Sequence, residues 1–387
     1  MDFGFTPEEE KFRQEVHQLL EKEVTPDIVA ETDEYGAGFG PLGRKLLQKL
    51  GARGWLTPTW PPEYGGLGAS EMMGFIVRDE LAYAGGPTIL VGAAMAGPTI
   101  LRVGSEELKK KFLPRIARGE IEFALGYTEP QAGSDLAALD IRAEDKGDYF
   151  LLNGQKMFNT ASHYADYHWL AIRTDPNVPR HRGISMMAVD LKTSGITIRP
   201  LITMADWRTN EVFYDDVRVP KENLVGEKNR GFYYIMAALD FERMIALGFY
   251  QRLFDQLVRY VKETKRDGKP LSHDPLVRQK LAELAIEFEV NRLLYYQLPY
   301  MLDRGEVPNY QSSMQKIFAT ELEQRLTEVG MEITGLYGQL REGSKWARLN
   351  GKIEHFCRWS VVETIYAGTS EILRNIIATR GLGLPVG

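Results

Sequence analysis

The period of the apolar residues changes twice along this chain, and those two changes narrow the folds open to it. From Thr6 to roughly Ile116 apolar residues recur every three or four positions. Phe12, Val16, Leu19 and Leu20 form one stripe, and Leu42, Leu46, Leu47 and Leu50 a second, as amphipathic helices require. Thr6, Pro7 and Glu9 together predict a helix start closed by a capping box. Prolines and glycines from Pro58 to Gly68 then predict a turn-rich loop. Near Ile121 the texture becomes short runs, Tyr149 to Leu152, His168 to Ile172, Ile184 to Val189 and Val212 to Tyr214, separated by glycine-bearing turns. At Gly231 the helical period returns in long blocks, broken at Asp267-Gly268-Lys269-Pro270 and around Arg304 to Pro308. The expectation is an α+β protein with three parts: helices over 1–121, an antiparallel sheet over 122–230 and a helical bundle over 231–387. A chain of 387 residues is too long for one core, so closely packed subdomains are expected.

Composition removes several function classes. A net charge of −6 offers no basic footprint, so no nucleic-acid partner is expected. No apolar run approaches the roughly 20 residues of a membrane span, and the first ten residues are acidic where a targeting peptide would be basic. Cys357 stands alone, which excludes an internal disulfide and fits a packed thiol in a reducing, cytoplasmic protein. The histidines His17, His163, His168, His181, His273 and His355 have no metal-ligand spacing, so no metal is expected. Neither a Gly-x-Gly-x-x-Gly loop, a Walker loop nor a nucleophile elbow occurs; any nucleotide must be held another way.

Three stretches carry chemical possibilities. Tyr127-Thr128-Glu129-Pro130-Gln131-Ala132-Gly133-Ser134-Asp135 is rich in small residues, so its backbone N–H groups and the Thr128 and Ser134 hydroxyls suit a ligand's carbonyl or phosphate oxygens, although a plain β-turn reads the same way. In Asn153-Gly154-Gln155-Lys156-Met157-Phe158-Asn159-Thr160, a tight turn followed by a strand would put Phe158 and Thr160 on one face, an aromatic to pack on a flat ring and a hydroxyl for its edge. A core aromatic beside a solvated threonine is the plainer alternative. In Leu239-Asp240-Phe241-Glu242-Arg243-Met244, a continuous helix would set Glu242 among Ala238, Leu239, Ile245 and Ala246. Burial on such a face raises a carboxyl pKa towards that of a base able to take a carbon-bound proton, while a Glu242 that snorkels or pairs with an arginine would do nothing of the kind. Asp240 and Arg243, three apart, could simply pair.

Taken in order, Trp60-Pro61-Pro62-Glu63-Tyr64-Gly65-Gly66, Thr128 to Asp135, Lys156 to Thr160, and Ile365-Tyr366-Ala367-Gly368-Thr369-Ser370-Glu371-Ile372 resemble the acyl-CoA dehydrogenase family over essentially the whole chain. The resemblance implies a helical N-terminal domain, a β-barrel-like middle domain and a C-terminal four-helix bundle, assembled as a homotetramer or with a related subunit, with FAD as cofactor and an electron-transfer flavoprotein as acceptor. It implies flavin contacts from Tyr127, Thr128, Gly133, Ser134, Phe158 and Thr160, with Thr369 and Glu371 also touching FAD. Phe158 stands where tryptophan is frequent. Ala367 stands where many members carry the catalytic glutamate, and Glu242 before Arg243 matches the branch that places the base on the first helix of the C-terminal domain. Ser134, Asp240, Arg243, Ala367 and Gly368 are implied substrate contacts. The family's arginine-bearing turn that reaches a neighbour's FAD here reads Thr264 to Pro270, with Arg266 as a substitute. The implied reaction takes an α-proton onto Glu242 and a β-hydride onto flavin N5. The alternatives are a non-catalytic or FAD-sharing subunit of a heteromeric complex, favoured by Ala367, and a flavin monooxygenase or oxidase on the same fold.

Overall fold

The computed structural model describes residues 4–35 and 38–385, apart from the side chains of Asp240, Phe241 and Glu242. The chain clusters into two compact units. A sheet unit comprises Glu21–Val77 and Gly86–Glu242; a bundle unit comprises Met1–Leu20, Arg78–Gly85 and Arg243–Gly387. Helices α1 (Pro7–Glu23), α2 (Pro26–Glu34), α3 (Pro41–Gly51), α4 (Glu71–Ala84), α5 (Gly97–Val103) and α6 (Glu106–Ala117) precede the sheet. The predicted capping box is present: the Glu9 N–H donates to Thr6 Oγ1 at 3.2 Å and the Thr6 N–H to Glu9 Oε2 at 2.7 Å.

The sheet holds β1 (Phe123–Gly126), β2 (Arg142–Asp145), β3 (Tyr149–Lys156), β4 (Tyr167–Arg173), β5 (Ile184–Asp190), β6 (Ile196–Ile202), β7 (Arg208–Pro220) and β8 (Leu224–Val225). Their order is β6-β7-β3-β2-β4-β5-β8, with β1 on β4. The apolar runs chosen from the sequence fall inside β3, β4, β5 and β7. Central strands β4 and β5 are buried almost throughout, whereas the edge strand β6 is largely exposed and carries Pro200, which an edge tolerates. Two details depart from the expected antiparallel barrel-like domain. The β1 and β2 pairings with β4 are parallel, and among the described residues β6 and β8 do not pair, so the sheet stays open. Phe112, Phe123, Phe150, Trp169, Met187 and Val217 are among the residues of its core.

In the bundle unit follow α8 (Gly248–Glu263), the hairpin strands β9 (Lys265–Arg266) and β10 (Lys269–Pro270), α9 (Pro275–Asp303), α10 (Asn309–Thr334), α11 (Lys352–Glu363) and α12 (Ser370–Ile376); α7 (Gly231–Glu242) closes the sheet unit. The predicted break at Asp267-Gly268 is a two-residue turn with φ +52° and +79°, the left-handed pair that a tight hairpin needs. The core gathers Tyr250, Leu253, Leu257, Phe288, Leu322 and Leu326. Helix α10 is unusual in burying polar residues as well: Ser312, Ser313, Gln315, Lys316, Thr320, Glu323 and Thr327 are all inaccessible.

Candidate active site

In the sheet unit, Tyr127 to Asp135 is a built loop. Glu129 and Ala132 exchange backbone hydrogen bonds at 3.0 Å each, closing a turn around Pro130 and Gln131. Beneath it the buried Glu129 carboxylate accepts from Lys156 Nζ at 2.9 Å, the Asp140 and Ile141 N–H groups at 2.6 and 3.0 Å, and Gln131 Nε2 at 2.7 Å. Lys156, fully inaccessible, also donates to the Tyr127 carbonyl at 2.9 Å. Burial pulls the Lys156 ammonium down to about 8 against the attraction of Glu129. Burial pushes Glu129 upward, but the Lys156 charge and the N–H donors outweigh it and leave the carboxyl below its ordinary value. Desolvating two ions costs several kcal/mol each, so the pair is tolerable only because its remaining hydrogen-bonding capacity is filled from the loop. Filling it fixes the loop.

The neighbouring motif is joined to this loop by the Met157 N–H, which donates to the Thr128 carbonyl at 2.9 Å. The sequence reading needs correcting here. Asn153-Gly154 is a bulge inside β3 and not a turn, and β3 ends at Lys156, so Phe158 and Thr160 do not share a strand face. Phe158 lies in the left-handed region at φ +56° and Ala161 at φ +73°, which takes the chain out of extended geometry. Such backbone persists where surroundings over-determine it. Here the Asn159 N–H donates to the Asn210 carbonyl at 2.8 Å, Asn210 Nδ2 to the Asn159 carbonyl at 2.9 Å, and Asn159 Nδ2 to the Leu125 carbonyl at 2.9 Å. The strained segment presents Phe158 with 55 % of its surface exposed. Thr160 Oγ1 donates to Thr209 Oγ1 at 3.3 Å. Thr128 is half-buried and Ser134 exposed, and a side chain added at Gly133 would meet nothing within 4 Å. An exposed aromatic ring on a strained loop, with the Thr160 hydroxyl two residues further on, fits a flat ring with a hydrogen-bonding edge, as a flavin has.

The bundle unit holds a second strained turn. After α11, the Ile365 and Tyr366 N–H groups both donate to the Val362 carbonyl, at 2.9 and 3.1 Å, and the Ser370 N–H to the Thr364 carbonyl at 3.0 Å. Within this turn Ala367 has φ +51° and Gly368 φ +99°; for alanine that conformation costs about 1–2 kcal/mol. Lys316, inaccessible in α10, donates to the Glu363 carbonyl at 2.7 Å and the Gly368 carbonyl at 3.1 Å, bridging the turn's two ends. The Glu363 carboxyl accepts from Trp359 Nε1 at 2.5 Å and from the Tyr366 hydroxyl at 2.7 Å. Burial raises both Glu363 and Glu323, whose carboxyls lie together beside the Tyr250 hydroxyl. Thr369 caps α12, accepting the Ile372 N–H at 3.2 Å, and Glu371 lies exposed in the first turn, its carboxyl lowered by its own N–H and by Thr369. Helix capping thus already accounts for these two residues locally.

Helix α7 ends at Glu242, so Ile245 and Ala246 do not continue an apolar helix face around it, and Arg243 sits in a turn. The side chains of Asp240 and Glu242 lie outside the described ones. Arg243 is buried, and a Cβ built on Gly368 would stand 3.8 Å from its Nε, so two of the expected substrate residues are neighbours. The segment after Arg243 is pinned on both sides. Gln315 Oε1 accepts the Ile245 N–H and its Nε2 donates to the Ile245 carbonyl, both at 3.1 Å. Asp79 Oδ1 accepts the Leu247 and Gly248 N–H groups at 2.8 Å each, and its burial pushes the carboxyl up to about 6. The hairpin arginine, Arg266, donates to the Ile333 carbonyl at 2.9 Å within the unit.

The family models for the acyl-CoA dehydrogenase N-terminal, middle and C-terminal domains match residues 6–120, 124–217 and 229–382. The chain belongs to the acyl-CoA dehydrogenase family. It is 37 % identical over 400 residues to the acyl-CoA dehydrogenase FadE26 of Mycobacterium tuberculosis, covering 100 % of this chain and 99 % of that one. Among solved structures it is similar to a Tcur3481-Tcur3483 steroid ACAD (35 % identity, TM-score 0.92, all of both chains covered) and to the ChsE4-ChsE5 complex of Mycobacterium tuberculosis (36 % identity, TM-score 0.91, all of both chains covered). As an acyl-CoA dehydrogenase the chain is an oxidoreductase with the family's helix, sheet, helix order. Among the described residues no helix is long and apolar enough to cross a membrane.

Sequence reasoning did not find Gln315, Lys316, Asn210 or the Glu129–Lys156 pair as organising residues. Glu129 and Lys156 lie inside the two sheet motifs, Tyr127 to Asp135 and Asn153 to Thr160, so a buried pair between them was within reach. The polar residues of α10 carry no such signal, since an amphipathic pattern assigns them to solvent.

Proposed function

We propose that the protein removes an α-proton and a β-hydride from a CoA thioester with a bulky, branched or alicyclic acyl group, holding FAD. When bound, FAD accepts the hydride; the chain's own residues do the rest. Glu242 takes the α-proton. The Ala367 and Gly368 backbone holds the thioester carbonyl, whose polarisation makes the α-carbon acidic, and Arg243, Asp240 and Ser134 serve the CoA portion. Thr128, Tyr127, Gly133, Phe158 and Thr160 would bind and orient the flavin ring, and Thr369 and Glu371 would also contact FAD. The observation that carries the reading is the rigid Ala367-Gly368 turn with Arg243 against it, since Ala367 has no carboxylate and the base must come from elsewhere. The acyl class is supported by the similarity to a steroid ACAD and to a relative, 32 % identical, named cyclohex-1-ene-1-carbonyl-CoA dehydrogenase. The expected acceptor is an electron-transfer flavoprotein, in the cytoplasm, with the domains divided at 121 and 230.

A second reading, a subunit sharing its FAD with a related chain, is favoured by the similarity to the ChsE4-ChsE5 complex. An exposed stripe on α9, Ile286, Val290, Leu293 and Tyr300, supports assembly of either kind, homotetramer or heteromer.

Anaerobic bleaching of flavin absorbance by straight, branched, aromatic and alicyclic acyl-CoA thioesters tests the proposal. Rapid bleaching by the branched or alicyclic class is expected; a flavin that no thioester bleaches contradicts it, and a chain that takes up FAD only with a second chain present supports the shared-subunit reading.

A further inference from the structure

Two consecutive side chains of α10 hold two separate backbone segments. Gln315 grips Ile245, three residues after Glu242, through both its N–H and its carbonyl at 3.1 Å. Lys316 grips the turn of Ala367 through the Glu363 and Gly368 carbonyls at 2.7 and 3.1 Å. Both are inaccessible, as is Asn291, whose Oδ1 accepts from Gln315 Nε2 at 3.4 Å. Burying an ammonium and a primary amide in a helix interior carries a desolvation cost that apolar residues there would avoid. Both segments also lack regular structure of their own: 243–247 lies between helices, and Ala367 and Gly368 are left-handed.

We infer that Gln315 and Lys316 are positioning residues that fix the spacing between the segment carrying the base and the turn that polarises the thioester carbonyl. The inference rests on the dehydrogenase reading. Consecutive residues on one helix are separated by a fixed rise, so a single rigid element sets the register of both segments. Proton abstraction next to a polarised carbonyl depends on that register, since a displacement of about 1 Å can cost about a hundredfold in rate. Neither residue touches the reacting atoms; each acts through the backbone it holds.

The test uses the FAD-loaded full chain and compares Gln315→Met, Lys316→Met and, as a control for packing, Thr327→Val, a buried α10 residue whose hydroxyl donates to the Gln324 carbonyl of its own helix. Steady-state kinetics with the thioester that bleaches the wild type are combined with binding of acetoacetyl-CoA. The enolate of this 3-oxo thioester gives a long-wavelength absorbance beside oxidised flavin and reports carbonyl polarisation without turnover. Gln315→Met and Lys316→Met are expected to lower kcat per bound flavin at least tenfold with KM within threefold, and Lys316→Met also to weaken the enolate band at saturation. Thr327→Val is expected to lower the melting temperature while keeping kcat within twofold. Wild-type kcat and an unchanged enolate band in the two Met variants would overturn the inference, as would an equal loss of kcat in Thr327→Val. If Lys316→Met does not fold, Gln315→Met decides the matter by the same kcat and KM criterion. A wild type bleached by no thioester defeats the dehydrogenase reading itself, and that control is run first.

Discussion

A buried lysine stands beneath the Tyr127 to Asp135 loop and another beneath the Ala367 turn, and the two are balanced differently. In the sheet unit Lys156 meets the Glu129 carboxylate directly at 2.9 Å, and the pair is saturated by the loop it supports. In the bundle unit Lys316 donates to two carbonyl oxygens, while the nearby Glu363 carboxyl is held by Trp359 and Tyr366. The first arrangement is a neutralised ion pair that locks a loop from below. The second uses the cation as a backbone clamp and leaves two acids, Glu363 and Glu323, buried together. A lysine can therefore organise a site through charge pairing or through the geometry of its donors.

The largest effect should come from breaking the pair. Lys156→Met leaves the Glu129 carboxylate buried without its cation and is expected to destabilise the protein by about 3–5 kcal/mol in denaturant titration, with the double variant Lys156→Met/Glu129→Met recovering much of the loss. Recovery smaller than the loss in either single variant would mean that the loop needs the ions for more than mutual compensation.

A smaller effect separates the units by the sign of their pH dependence. Glu129 lies below its ordinary value, so its contribution is present above about 4.5 and is lost as the pH falls through its folded value. Glu363 and Glu323 lie above theirs, so the folded state keeps a proton that the unfolded state releases, and stability declines as the pH rises beyond about 4.5. Each group contributes a slope of up to about 1.4 kcal/mol per pH unit within its window. Melting temperatures measured across the acid and neutral range should show Glu129→Gln removing part of the acid-side loss and Glu363→Gln part of the loss towards neutrality. Equal shifts of sign in both variants would break the contrast.

The asymmetry also explains what could be read from the sequence. Helix, sheet, helix order was legible because apolar period tracks burial, and the capping box at Thr6 and the break at Asp267-Gly268 because their chemistry is local. The loop from Tyr127 to Asp135 and the Phe158 segment were recognisable as strings, but their geometry was not. The bulge at Gly154 lies in the pairing with β7, and the left-handed Phe158 segment leans on Asn210 of that same distant strand; no period announces either. The apolar surroundings drawn around Glu242 assumed a helix that runs on, whereas the chain leaves it there because Gln315 and Asp79 take up the backbone groups of residues 245–248. Lys316 was invisible for the same reason: a lysine in a helix reads as solvated until its acceptors, here 47 and 52 residues further on, are known.

In the proposed mechanism Glu242 is the base and the Ala367 turn supplies only polarisation. Anaerobic stopped-flow reduction of the flavin in Glu242→Gln, with the thioester that bleaches the wild type, tests it most directly. Retained FAD and thioester binding, with reduction slowed by about a hundredfold or more, is the expected result. Reduction at the wild-type rate would contradict it.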